Sequence, residues 1–221
     1  MASLGRISAA PVIFENADDL DKGGLLCAIP ALLALGLLTH SKKHFELPPG
    51  YYPIECILLC VAFLALARVQ SMEALRYEAP GEWGRLLGFD RVPEVRTLRE
   101  KISLICQDED KIREWSSGLA REWMELKGEE AGSLYIDGHV RVYNGGLTKL
   151  PARYVARQKL CLRGTTDYWV NAMDGAPFFA VSQSSDPGLL QTIETKILPQ
   201  LLKDVPNQPT EVELAADPKR E

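Results

Sequence analysis

The chain has 221 residues, room for one large domain or two small ones, and its 46% hydrophobic and 25% charged content is that of a globular protein that can bury a core. Its formal net charge of -5 excludes a protein that is basic throughout, so any contact with nucleic acid has to come from a local patch. Five cysteines (Cys27, Cys56, Cys60, Cys106, Cys161) lie mainly in apolar runs with no Cys-x-x-Cys pair, which fits buried thiols in a reducing cytoplasm better than a disulfide framework or a zinc site.

Residues 1 to about 128 read as helical. An acidic stretch, Glu15 to Asp21, comes before the first apolar run, so a signal peptide is not expected. The apolar runs at 24–38 and 54–67 are shorter than the ~20 residues needed to span a bilayer, and they carry Pro30, Gly36 and Glu55. Both are predicted to be buried core helices, with no stable membrane insertion. Cys56 and Cys60 lie one helical turn apart with His40 and His44 nearby in sequence, but a metal site from these four is the weaker reading.

Ser71 is a plausible cap for Met72 to Tyr77, Pro80-Gly81 opens the next helix through Leu87, and Gly88 should end it. Pro93 suits the first turn of a helix from Glu94 to Ile105, with Leu98, Ile102 and Ile105 on one face. This spacing is compatible with a helix-turn-helix, although from Arg68 to Lys101 basic and acidic residues nearly balance. Ile112, Trp115, Leu119, Trp123 and Leu126 continue at i+3 or i+4 spacing and predict a long amphipathic helix with both tryptophans in the core.

Near Gly128 the period changes from helical to alternating, with strands expected near 134–143, 159–171 and 177–181. Asn144-Gly-Gly146 and Met173-Asp-Gly-Ala176 are turn signals between them. After Asp186-Pro187-Gly188, apolar positions at Leu189, Leu190, Ile193, Ile197, Leu201 and Leu202 predict a helix ending near Val205. The remainder is an acidic, proline-punctuated tail. The expected organisation is a helical region at 1–128, an α+β region at 129–205 and a tail at 206–221.

The candidate chemistry centres on Asp137. Asp137-Gly138 is a preferred central pair for a type I′ hairpin turn, and it is equally a lone carboxylate on an apolar strand. Between Gly138 and Thr166 the charges are Arg141, Lys149, Arg153, Arg157, Lys159 and Arg163, with no acid among them. Interleaved with Tyr143 and Tyr154, they could line a path for a DNA backbone or form a solvated sheet face. His139, two residues on from Asp137, would share its side of a strand. Of the later acids, Asp167 on a strand is the best placed to substitute as a second acid beside Asp137, although that is the weaker reading of it; Asp174 reads as a turn former and Glu194 as a solvated helix position.

The segments Pro48 to Pro53, Ala67 to Tyr77, Pro93 to Lys101, Leu134 to Tyr143 and Tyr154 to Asn171 resemble insertion-sequence transposases of the DDE class, the last two most specifically. The resemblance covers about Gly23 to Asp217. It implies an N-terminal helical DNA-binding region and a ribonuclease-H-like catalytic domain, here incomplete: three antiparallel strands plus one helix. In such domains the first catalytic acid lies on the first strand, and Asp137 matches that position. The chemistry implied is DNA strand cleavage and transfer with Mg²⁺ held by three convergent carboxylates. The second and third acids would come from elements beyond those found here. The expectation is therefore a C-terminally truncated transposase, inactive alone, with Asp137 as catalytic and metal-binding residue. Transposon-end DNA is the implied partner, and a homo-oligomer or a mixed oligomer with a full-length enzyme is possible. A non-catalytic DNA-binding remnant or regulator is the alternative. The strand around Ile136 should be a bare edge.

Overall fold

The computed structural model of the chain describes residues 22–155, 158–184 and 187–204. The acidic stretch before Lys22, Arg157 and the expected tail at 206–221 lie outside the described residues. The chain divides into two compact units, 1–115 and 116–221.

The first unit is helical. Its first apolar run does not form one helix. A 3₁₀ segment, Gly23–Ala28, leads into the short α1 (Ile29–Ala34), and Gly36, at φ 88°, breaks the run. After α2 (Ser41–His44) comes α3 (Ile54–Leu66), which is apolar nearly all round and therefore becomes the centre of the core. Ile57, Leu59, Cys60 and Phe63 of α3 are packed with Leu75, Trp83, Leu87 and Leu98. The Phe63 and Trp83 rings meet edge to face at 5.2 Å. Glu55, the one acid of α3, is buried in its first turn and paired with Lys42 Nζ at 2.5 Å.

Around that core, Met72–Tyr77 is a 3₁₀ helix, followed by α4 (Pro80–Leu87) and α5 (Val95–Ile105). Ser71 is extended, as a capping residue would be, but its side chain makes no capping hydrogen bond. Gly88 ends α4 in the left-handed region at φ 82°, where the N–H of Phe89 donates to Gly84 O at 2.9 Å. No helix among the described residues is long and apolar enough to cross a membrane. The cysteines divide: Cys56 and Cys60 are buried, whereas Cys27, Cys106 and Cys161 are exposed, which corrects the expectation of thiols mostly in cores. Cys27 and Cys106 sit at helix ends and Cys161 on the open face of a strand. Burial pushes the Cys60 thiol up to about 12, with Cys56 adding to the shift, so it is inert at neutral pH.

The division between the units falls inside α6 (Glu109–Lys127), ahead of the change of period near Gly128. Asp108 Oδ1 accepts from the Lys111 N–H at 3.1 Å and caps the start of α6. The later half of α6 belongs with the sheet, because Ala120 and Met124 pack against it. Leu126 is 78% exposed and lies off the expected stripe; Met124 fills that place.

A 3₁₀ turn, Gly128–Gly132, delivers the chain to the sheet: β1 (Leu134–Val142), β2 (Ala152–Val155), β3 (Leu160–Ala172) and β4 (Pro177–Gln183). All pairings run through β3 and are antiparallel. The order β1-β3-β2 puts β1 on one side of β3, and since β4 pairs with the same stretch of β3 as β1, β4 lies on the side of β2. The expected three strands plus one helix are thus four strands. The extra one, β2, is only four residues long and carries Arg153 in its middle, so its period-2 signal is weak.

Side chains alternate across this sheet. Leu134, Ile136, Val140 and Val142 of β1 share one face with Tyr168 and Val170 of β3 and Phe179 of β4. That inner face is covered by α6 and the C-terminal helix, which is built from α7 (Leu189–Thr192), a π-turn (Ile193–Ile197) and α8 (Leu198–Asp204). Ile193 and Ile197 are buried, whereas Leu189 and Leu190, at the start of the helix, and Leu202, beyond the wider π-turn, are exposed. Gly138 stands opposite Tyr168, and a Cβ added there would lie 3.0 Å from Tyr168 Cε1. Gly138→Val should therefore cost about 1–3 kcal/mol in urea denaturation; a loss near zero would mean that the Tyr168 ring is free to move aside.

Candidate functional site

Asp137 lies in the middle of β1, paired with Trp169, and does not form a turn. The hairpin reading of Asp137-Gly138 is corrected by the apolar inner-face residues on both sides, which keep β1 continuous across nine residues. The reversal comes later, after Val142, where Tyr143 OH accepts from the Thr148 N–H at 3.3 Å and its ring lies across Gly145. Hydrogen bonding to Thr148 holds the Tyr143 hydroxyl below the usual tyrosine range.

Alternation places Tyr135, Asp137, His139 and Arg141 on the outer sheet face, away from α6 and the C-terminal helix. The register adds Arg163, Asp167 and Trp169 from β3, Tyr154 from β2, and Ser182 from β4. Asp137 and His139 are exposed, with Tyr135 and Trp169 exposed beside them, whereas Arg163 and Tyr154 are exposed at the other end of the sheet, where β2 pairs with β3. This is an open polar and aromatic surface on the sheet. No hydrogen bond or ion pair among the described residues engages the Asp137 carboxylate.

Asp167 is the unexpected member. It faces the polar side, yet its side chain is 1% exposed, with Arg141 Nη2 2.6 Å from Oδ2 and the Ser182 hydroxyl donating to Oδ1 at 2.6 Å. The Arg141 contact lacks hydrogen-bond geometry, since Oδ2 has no hydrogen-bond partner, so it acts as an ion pair by charge. Asp167 stands directly across from His139 and one diagonal step from Asp137, a separation of about 7–8 Å between Cα positions.

The remaining basic residues scatter. Lys149 is exposed in the β1–β2 loop, and Lys159 is exposed at the turn before β3 with a left-handed backbone at φ 53°. Arg153 points to the inner face opposite Leu162, with its Nε buried. Asp174 forms the β3–β4 turn, where its Oδ1 accepts from the Ala176 N–H at 3.0 Å and its carboxyl pairs with Lys127. The Lys127 bond, then the Ala176 N–H, hold the Asp174 carboxyl below the usual carboxylate range. A depressed folded-state pKa contributes stability that is present above the unfolded pKa and lost as pH falls through the folded one, so Asp174→Asn should flatten the acid limb of stability against pH. An unchanged acid limb would show that the Lys127 contact is not maintained in solution. Glu194 is exposed on the π-turn.

No group of three or more His, Cys, Asp or Glu among the described residues is placed to hold a metal ion. In the first unit the basic residues of α5 are already engaged, Arg99 with Glu73 and Arg96 with Glu100 at 2.9 Å.

A protein-family model described as "Transposase protein" matches residues 1–220. No curated protein and no solved structure matches the chain.

Proposed function

The chain belongs to the transposase family, and from that premise we propose that its outer sheet face is the DNA-facing part of a DDE-class catalytic domain in which Asp137 is the first acid. The observation that carries this is the position of Asp137: an exposed carboxylate at the centre of β1, with His139 two residues on and Trp169 directly across on β3. The sheet itself, with β1, β3 and β4 antiparallel, the acid-bearing strand at its rim and a helix after β4, is compatible with the start of a ribonuclease-H-like fold. Such a fold would continue by adding a strand at the β1 edge.

A single exposed carboxylate cannot fix a hard divalent ion that takes about six oxygen ligands, so Mg²⁺ binding needs acids beyond the described residues. When bound, Mg²⁺ would supply Lewis-acid activation of the attacking and leaving oxygens. The residues in hand do something simpler. Arg163, Lys149 and Lys159 neutralise phosphates, while Trp169, Tyr135 and Tyr154 offer flat surfaces to unpaired bases. The chain alone is proposed to bind DNA without cutting it, as a catalytically incomplete transposase.

The test is anisotropy titration of a labelled single strand and a duplex across a salt series. Three neutralised phosphates give a slope of log K against log salt of about −2 to −3. Arg163→Ala should reduce that slope by about one unit without changing sequence preference. A slope near zero at low salt would overturn the DNA-facing reading. Magnesium-dependent nicking that Asp137→Ala abolishes would instead overturn the incompleteness.

A further inference from the structure

We propose that Arg141 reads a base: it takes the O6 and N7 acceptors of an unpaired guanine lying next to the base stacked on Trp169. This deepens the DNA-facing reading of the outer sheet face and rests on it. Arg141 differs from Arg163, Lys149 and Lys159 in that its charge is already matched. Its Nη2 lies 2.6 Å from Oδ2 of Asp167, whose side chain is 1% exposed. From β4, on the other side of β3, the Ser182 hydroxyl donates to Oδ1 at 2.6 Å and fixes that carboxylate. Asp167 is thus the positioning residue of Arg141. A cation matched in this way has little charge left to neutralise a phosphate.

What the pair leaves open is hydrogen bonding. Asp167 Oδ2 has no hydrogen-bond partner although Arg141 Nη2 is so near, so no guanidinium N–H is aimed at it. Among the described residues Arg141 has no other hydrogen-bond or ion-pair partner, and its side chain is 68% exposed. Its planar fork of N–H donors, which has no acceptor, is therefore held by charge and left unspent.

Position and chemistry then select the ligand. Arg141 stands opposite Thr165, but its head reaches back along β1 to the level of Asp167, two residues or about 7 Å from the level where Asp137 faces Trp169. A base stacked on the exposed Trp169 indole has its neighbour in the strand beside the guanidinium. The exposed Asp137 carboxylate on the same face repels a phosphate there, so a base and not the backbone turns toward the sheet. Guanine presents two acceptors, O6 and N7, side by side on one edge, whereas adenine presents an acceptor and a donor. A group that only donates takes both acceptors of the first and is opposed by the donor of the second.

The experiment is anisotropy titration of the full chain with short labelled pyrimidine strands that carry one central guanine, replaced in turn by 7-deazaguanine, adenine and cytosine. Wild type should bind the guanine strand about tenfold more tightly than the adenine strand. The 7-deazaguanine strand, which stacks alike but lacks the N7 acceptor, should lose most of that advantage. Arg141→Lys keeps a positive charge near Asp167 but gives up the fork, and should bind all the strands alike. Asp167→Asn releases the Arg141 charge to the backbone, so the slope of log K against log salt should steepen by about one unit while the guanine preference falls. A residue that merely braced the sheet would not steepen it.

The modified strands test the wild-type protein and do not depend on the folding of any variant. Equal affinity for guanine and 7-deazaguanine, a cytosine strand bound more tightly than the guanine strand, or a guanine preference retained by Arg141→Lys overturns the base-reading role and leaves the DNA-facing reading in place. Absent or salt-independent binding of every strand overturns both.

Discussion

Phe63→Ala should destabilise the first unit by about 3–5 kcal/mol, the range for removing a fully buried aromatic side chain. Phe63 is 1% exposed in the last turn of α3 and is held edge to face by Trp83, itself 2% exposed. The cavity is bordered by α3 and α4, whose backbones are fixed by their own hydrogen bonds, so collapse around the missing ring is limited. That loss is a large share of the roughly 5–15 kcal/mol typical of a domain. Differential scanning calorimetry should show the first unit melting at least about 10 °C lower, with a tryptophan emission change from Trp83. A shift of only a degree or two would mean that the helices around Phe63 repack freely and that the core assignment is wrong.

Arg141→Ala should cost the second unit about 2 kcal/mol, more than removal of an ordinary surface arginine. Arg141 is itself largely exposed, but it is the charge partner of Asp167, which is 1% exposed. Removing it leaves a buried carboxylate with only the Ser182 hydroxyl at 2.6 Å. The full penalty for breaking a buried pair is reduced because water can approach from the arginine side. Adding Asp167→Asn to Arg141→Ala should recover part of the loss, and a double-mutant cycle would isolate the coupling. Purely additive effects in that cycle would show that the two residues do not interact. The same pair bears on the proposed DNA contact: Arg141 already serves an internal charge, so its removal acts through the sheet, whereas removal of Arg163, which is exposed, should cost little stability.

The sequence made the alternation of β1 plain, and with it the separation of Asp137 and His139 from Leu134, Ile136, Val140 and Val142. It left turn and strand readings of Asp137-Gly138 open because turn preference is a local property of two residues. Their setting is fixed by a nine-residue register against β3 that no local window contains. The burial of Asp167 was hidden for the same reason, since Arg141 and Ser182 reach it from two other strands. Exposure of Leu126, Leu189 and Leu190 was missed at helix ends, the last turn of α6 and the first of α7, where apolar spacing does not say how far the covering surface reaches. Buried α3 was legible from its composition, but the breaking of the run at 24–38 into a 3₁₀ segment and a short helix depended on how Pro30 and Gly36 were used.

Trp169, directly across from Asp137 and 39% exposed, makes the outer face optically self-reporting. Of the four tryptophans, Trp83 is deep in the helical core and Trp115 and Trp123 are half-buried, so a contact quencher in solution reaches Trp169 most readily. A nucleotide strand that settles over the Asp137 face must shield or stack on that indole. Its emission and its accessibility to iodide would then record the event in the unlabelled protein.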